Sequence, residues 1–365
     1  MHQKQINLAR TLPHQSEPLS PWPNFAAVLA SWAHCQPDAP YLVFHHNGKQ
    51  RQSRVCYTYG DVYQQSCRLA NYMRKTLGLK LGDRIGTVAY NHPDTVLLTF
   101  AAWLAGLVVV PFNAGDSDER LVFSFNNAEV KAVFVMPELG ARVEGLKSQF
   151  LCVEHILTIG NFSAEDHSTS LLSQEHITHK TEALIVYTSG TTGKPKGVVL
   201  EQGQILTDAH AITEWFGFTN KSIAMNVLPI HHVNGMIVTL VTPLYHGGCV
   251  VLSRKFSASS YWQTVAQEGC TWGSVVPTVL SFLMEAEQNP RPEHQLEFLI
   301  CGAGPLTTET VKRFEAQFSV KVMHGYGLSE STCYSSFLPA NLPEIDRKKW
   351  LLEYGVPSIG VPLPC

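Results

Sequence analysis

From Tyr187 to Val199 the chain reads Tyr-Thr-Ser-Gly-Thr-Thr-Gly-Lys-Pro-Lys-Gly-Val-Val. Three glycines, four Ser/Thr hydroxyls and two lysines thus stand directly behind the apolar run Ala183–Val186. Glycine lets backbone N–H groups come close to an anion, hydroxyls add hydrogen bonds, and lysine brings a mobile positive charge. Together they suit a phosphate cradle. A flexible surface turn draws on the same residue types, so the rest of the chain must decide. One phosphate loop is disfavoured by spacing. A Walker A sequence has four residues between its first glycine and Gly-Lys, then Ser or Thr. Here two residues separate Gly190 from Gly193, and Pro195 follows Lys194. A P-loop NTPase is a minor alternative.

Three further segments carry chemistry. His324-Gly325-Tyr326-Gly327-Leu328-Ser329-Glu330-Ser331-Thr332 offers a ring for stacking, a hydroxyl for a phosphate oxygen and a carboxylate for a divalent cation. Glu330 would equally suit a helix start, where a carboxylate complements the dipole. Cys301-Gly302-Ala303-Gly304-Pro305-Leu306 puts glycines between an expected strand and helix, where open α/β sheets bind ligands. Any tight strand–helix turn would use glycine too. In Leu228-Pro229-Ile230-His231-His232-Val233-Asn234-Gly235, His232 is either a pocket wall or a satisfied core histidine.

Residue by residue, Thr188 to Gly197 resembles the phosphate-binding signature of adenylate-forming enzymes without a gap. That family includes acyl-CoA synthetases, adenylation domains of peptide synthetases and firefly-type luciferases. The other three segments follow in the family's order. The resemblance implies that Thr188, Ser189, Gly190, Thr191, Thr192, Gly193 and Lys194 grip the phosphates of ATP, with Lys196 the main charge partner. It sets Gly302, Ala303 and Gly304 against adenine and the acid, and stacks Tyr326 on adenine beside Gly327. Ser329, where most relatives carry Thr, bonds the α-phosphate, and Glu330 holds Mg²⁺. His232 and Gly304 line the acid pocket. Lys196 and Glu330 are the expected catalytic residues. His231 departs from the pattern, replacing a usually aromatic neighbour.

The implied reaction has two steps. A carboxylate attacks the α-phosphorus of ATP, giving an acyl-adenylate and expelling pyrophosphate, whose growing charge the loop stabilises. The acyl group then passes to the thiol of CoA or of a carrier protein. Small and aliphatic residues near His232, Val276–Leu280 and Gly302–Gly304 suit a fatty or aryl acid. No aspartate in Leu228–Gly235 could receive an α-amino group, which places a peptide-synthetase domain second. Pro357–Pro364 resembles the start of the family's small β-rich third subdomain. The chain is therefore expected to be truncated before that subdomain and before the mobile C-terminal domain with its catalytic lysine. Alone it is expected to be inactive or weakly active, and a catalytically incomplete nucleotide-binding module is the rival reading.

Composition is consistent with this. Of 365 residues 45% are hydrophobic and 16% charged, enough for a sizeable core and too apolar for disorder. Net charge is −3, and the densest basic run is Arg347-Lys348-Lys349, unlike the clustered footprint of a nucleic-acid binder. The nine cysteines are scattered without a CxxC pair, so free thiols in a reducing compartment are expected. His45-His46 and His231-His232 are adjacent doublets, which on a strand point to opposite faces and rarely chelate one ion. No signal peptide is visible before Trp22. The most apolar run, Val96–Phe112, is shorter than the roughly 20 residues of a spanning helix and reads as a buried helix followed by a buried strand. A cytoplasmic protein without integral membrane association is expected, with room for peripheral contact. Nothing in the sequence sets the oligomeric state.

The elements that must hold these residues alternate. Helices are expected at Phe25–Trp32, Val62–Leu77, Asp94–Leu104 and Ser117–Asn126, and strands at Arg84–Tyr90, Val108–Pro111 and Ala132–Val135. The alternation resumes with strands near Ile223, Cys249, Gly273 and Phe298 and helices near Ile205, Ala258, Pro277 and Thr308. That pattern predicts an α/β fold of two stacked subdomains, with mainly parallel sheets covered by helices. Expected boundaries are an arm over 1–24, a first subdomain over 25–180, a second over 181–345 and the start of a third over 346–365. Asn161–Thr181 is the expected linker.

Overall fold

The structure is a computed structural model that describes residues 20–46, 54–160, 167–188, 195–286 and 292–364. Most of the arm expected over 1–24 thus lies outside the described residues, as do Ser189, Gly190, Thr191, Thr192, Gly193, Lys194 and Cys365.

Fifteen strands are described, in chain order β1 (Pro40–His45), β2 (Arg54–Thr58), β3 (Arg84–Ala89), β4 (Val108–Asn113), β5 (Val130–Val135), β6 (His155–Thr158), β7 (Glu182–Thr188), β8 (Lys196–Glu201), β9 (Ile223–Asn226), β10 (Cys249–Ser253), β11 (Trp272–Val275), β12 (Phe298–Cys301), β13 (Lys321–Tyr326), β14 (Ser336–Phe337) and β15 (Val361–Pro362). They form two sheets. Six strands run in the order β6-β5-β3-β4-β7-β8, and nine in the order β15-β14-β13-β12-β11-β9-β10-β1-β2. The interior of each is parallel; β2, β8, β14 and β15 pair antiparallel at the edges. The α/β architecture expected from the alternating pattern is the one observed.

The subdomain limits at 25–180 and 181–345 do not coincide with sheet membership. β1 and β2 complete the nine-stranded sheet, and β7 and β8 belong to the six-stranded one. Hydrophobic periodicity identifies a strand but not its partner, and β1 pairs with the distant β10, Leu42 opposite Val250.

Between the sheets lies the longest apolar stretch. The helix Pro93–Leu104 has every residue but Asp94 buried, as expected of a helix that is hydrophobic all round. Pro at its first position and His92, whose Nδ1 accepts the Asp94 N–H, start it. Trp103 donates its indole N–H to Ala183 O at 2.8 Å, and Gln202 donates to Trp103 O at 3.1 Å. The same Gln202 accepts the N–H of Phe25 at 2.9 Å, so three distant parts of the chain meet at one polar knot. Thr58 and Asp61 form a capping box before the helix Tyr59–Lys75. This is a reciprocal arrangement in which each side chain takes the other's backbone donor.

The described part of the expected linker is irregular but pinned. Asn71 donates to Ser168 O and Ser170 O at 3.1 and 2.9 Å, and Asn24 to Ile177 O at 2.8 Å. Among the described residues all eight cysteines are free thiols. No described helix is long and apolar enough to cross a membrane.

Candidate active site

Four neighbouring parallel strands, β13, β12, β11 and β9, end along one edge of the nine-stranded sheet. Parallel strands present their C-terminal ends together, which is why such edges gather ligand contacts. Tyr326–Glu330 follows β13, Gly302–Gly304 follows β12, Val276–Pro277 follows β11, and Leu228–His232 follows β9. The register Cys301↔His324 sets the first two turns side by side.

Opposite them, β7 and β8 form a hairpin with Thr188 paired to Lys196 at its base. The glycine-rich segment therefore joins two antiparallel strands. Tyr187 anchors this base by donating its phenol to Asn127 Oδ1 at 2.7 Å, and burial pushes that phenol up to about 12. Lys196 is exposed, and Thr188 is half-buried. Residues of β8 have Cα atoms within 8 Å of those in the turn Ser329–Ser331. The strand that leads out of the glycine-rich segment and the turn that carries Glu330 are thus neighbours.

The 326–335 turn is closed on itself. Ser331 Oγ accepts the N–H of Leu328 at 3.1 Å, and the Ser335 N–H donates to Tyr326 O at 2.8 Å. Thr332, at φ 72° and ψ −63°, occupies the strained conformation of a γ-turn, and the Cys333 N–H bonds Ser331 O at 2.9 Å, as that turn requires. A Cβ on Gly327 would collide with the Cys333 carbonyl. This folding leaves Tyr326 46% exposed and Glu330 exposed, their side chains offered outward from a rigid backbone. Glu330 lies in the single 3-10 turn Ser329–Ser331, from which the chain passes on to β14. Among the described residues no group of three or more His, Cys, Asp or Glu comes together.

In the neighbouring turn Gly302 is buried, Ala303 takes a left-handed φ of 60°, and Gly304 is exposed. A Cβ on Gly304 would sit 3.4 Å from the Pro277 ring, an ordinary contact, so alanine fits here.

The His231-His232 segment is built by two asparagines. Asn91, at the end of β3, donates to Leu228 O at 2.9 Å and Ser253 O at 3.0 Å, and accepts the Ile230 N–H at 2.9 Å. Asn226 donates to Gly235 O at 2.9 Å. Both are buried. His232 is solvent-accessible yet surrounded closely enough that burial lowers its pKa, partly offset by Asp116, with Arg120 adding to the lowering. His232 is thus exposed on the segment and not enclosed in the core. His231 is more enclosed, and burial takes it down to about 3, so it remains neutral. A neutral imidazole tilted at 53° against His232, with ring centroids 4.3 Å apart, can replace the aromatic neighbour the motif usually carries.

Residues 29–365 match the family model described as AMP-binding enzyme, and the chain belongs to that family. Its relatives include the sulfoacetate–CoA ligase of Cupriavidus necator, 30% identical over 315 residues covering 84% of this chain and 60% of that protein. The long-chain-fatty-acid–CoA ligase of Thermus thermophilus is 26% identical over 84% of this chain and 58% of its own length. The chain thus spans less than two thirds of the relatives it matches. An inhibitor-bound N-terminal domain of FACL13 from Mycobacterium tuberculosis superposes with a TM-score of 0.80 at 21% identity, over 87% of this chain and 79% of that one. The anthranilate CoA ligase AuaEII in complex with anthranoyl-AMP gives 0.82 at 17%, over 95% and 64%. These two likenesses establish the fold.

Asn91, Asn226, Thr332 and Tyr334 were not singled out in the sequence. A buried asparagine whose partners are distant backbone atoms has no local signature.

Proposed function

We propose that this chain carries the adenylating site of an ATP-dependent acid–thiol ligase. The observation that supports it most is the assembly of His232, Gly302–Gly304 and Tyr326–Glu330 along one sheet edge, faced by the base of the β7–β8 hairpin. Tyr326, Gly327 and the Gly302–Gly304 turn hold adenine, Ser329 takes the α-phosphate, and Glu330 holds Mg²⁺, which neutralises phosphate charge when bound. Lys196, with Thr188, Ser189, Gly190, Thr191, Thr192, Gly193 and Lys194, takes the β- and γ-phosphates. The carboxylate enters beside His232 and Gly304 and attacks the α-phosphorus; the oxygen bridging to the β-phosphate leaves with pyrophosphate. Lys196 stabilises charge that grows on that leaving group, which is where a preorganised cation accelerates most. CoA or a carrier-protein thiol then accepts the acyl group, in the cytoplasm.

A fatty or aryl acid is the substrate class we favour. A short acid with a second anionic group is the rival, supported by the Asp116–Arg120 pair within electrostatic reach of His232 and by the sulfoacetate named in one relative. Calorimetry with hydrolysis-resistant acyl-adenylate analogues tests both points. An analogue spanning the nucleotide and acid positions should bind more tightly than ATP, and the acyl group giving the lowest Kd identifies the class. Equal Kd values for the analogues and for AMP would remove the acid pocket from the site.

A further inference from the structure

Beneath the three ligand-facing segments lies a buried phenol that the adenylation reading leaves without a role. Tyr334 is 3% exposed, and its Oη accepts from Asn234 Nδ2 at 3.3 Å. Asn234 in turn accepts from the Ser274 hydroxyl at 2.6 Å, and Ser274 also faces the phenol oxygen. Asn234 stands two residues after His232, at the start of the π-helix Asn234–Val241, and Ser274 lies on β11. The ring is equally close to the other two segments. A Cβ on Gly302 would lie 2.6 Å from Tyr334 Oη, and one on Gly325 would lie 2.8 Å from its Cε1. The Tyr334 backbone N–H faces the buried Asp208 carboxylate, and the strained Thr332 lies just upstream. The phenol therefore fills the space a side chain would need at Gly302, and at Gly325 it shares that space with the Phe337 ring, which a Cβ would meet still closer.

We propose that Tyr334, through Asn234 and Ser274, is a positioning residue that locks the His232 segment, the Gly302–Gly304 turn and the Tyr326–Glu330 turn into one rigid floor. The inference rests on the reading that these three segments contact the acid, the adenine and the metal-bound phosphates. A core filled this tightly transmits a displacement instead of absorbing it. Buried polar networks of this kind fix one arrangement when fully satisfied. Removing the hydroxyl should loosen all three segments at once while the ring still fills the core.

Tyr334→Phe removes only that oxygen. Ile212→Val, in the same apolar cluster, serves as a packing control that leaves the polar network untouched. Amide hydrogen exchange on the unliganded chain is the first readout. Tyr334→Phe should accelerate exchange in residues 228–235, 302–304 and 325–335 together, and Ile212→Val should not. Calorimetry is the second. Tyr334→Phe should weaken ATP–Mg²⁺ and an acyl-adenylate analogue by about 3- to 10-fold, the worth of one hydrogen bond, with the larger loss for the analogue that spans all three segments. Ile212→Val should leave both Kd values in place even where its Tm falls as far. Acceleration confined to 325–335, or equal loss of affinity in the two variants, would overturn the inference. Failure of the unsubstituted chain to bind either ligand would instead overturn the adenylation reading, and the inference with it.

Discussion

Lys196, on β8, and Glu330, in the turn Ser329–Ser331 that follows β13, are both exposed. Lys196 is exposed beside the hairpin base and supports no core. Lys196→Ala should leave folding intact and slow acid-dependent ATP–pyrophosphate exchange by roughly 10²–10³, the usual loss when one preorganised donor to developing charge is removed. Lys196→Arg should rescue poorly, because a planar fork does not replace a compact ammonium. Near-normal exchange in Lys196→Ala would transfer the role to Lys194. For Glu330→Gln the reading is the Mg²⁺ titration of exchange, whose midpoint should move to higher concentration. An unmoved midpoint would leave Glu330 without a metal. The motif residues were readable because each lies in a contiguous run, 188–197 or 324–332. Tyr334 was not, since Asn234, its hydrogen-bond partner, lies 100 residues away.

At the scale of elements, the site depends on where strands stop and how tightly the following turns close. Two glycines one strand apart make opposite predictions. Gly304→Ala should fold and keep its affinity for ATP, since the added methyl meets the Pro277 ring at 3.4 Å. Gly327→Ala should lose soluble folded protein or fall well down in Tm, because the methyl would occupy the Cys333 carbonyl. Thermal melts of the pair decide it, and equal Tm values would mean the 326–335 turn is looser than described. Elements such as Pro93–Leu104 and Thr308–Phe318 were readable almost to the residue, since Pro, Ser/Thr caps and apolar spacing mark helix starts locally. Pairing was not readable. That β1 and β2 would close the nine-stranded sheet depends on contacts with no periodic signal, and Asn91's hold on the His231-His232 segment depends on a second sheet being present.

Across the whole molecule, distant ion networks set how the fold responds to pH. Burial tends to raise the Glu268 carboxyl, but hydrogen bonds from His45 and from Arg54, at 2.9 Å each, outweigh it and hold the group at about 2, below its ordinary 4.5. A carboxyl depressed on folding stabilises fully above its unfolded pKa, and that contribution is lost as pH falls through the folded one. Glu268 should therefore support the fold in full above about pH 4.5 and progressively less toward pH 2. Urea midpoints at pH 6 and pH 3 should differ less in Glu268→Gln than in the unsubstituted chain; equal differences would remove Glu268 from the acid response. The network joins β1, β2 and the helix Ala258–Glu268 at the far edge of the sheet, away from the strand ends at which β13, β12, β11 and β9 converge. Loss of Glu268 should thus shift stability without shifting the affinity for ATP.

Under the proposed function, a carboxylic acid and ATP meet on that edge, with pyrophosphate leaving past Lys196. Acid-dependent ATP–pyrophosphate exchange by the protein, screened over fatty, aryl and short anionic acids, tests this most directly. The prediction is exchange that needs Mg²⁺ and one class of acid and that collapses in Lys196→Ala. ATP hydrolysis indifferent to every acid, with no exchange, would contradict it.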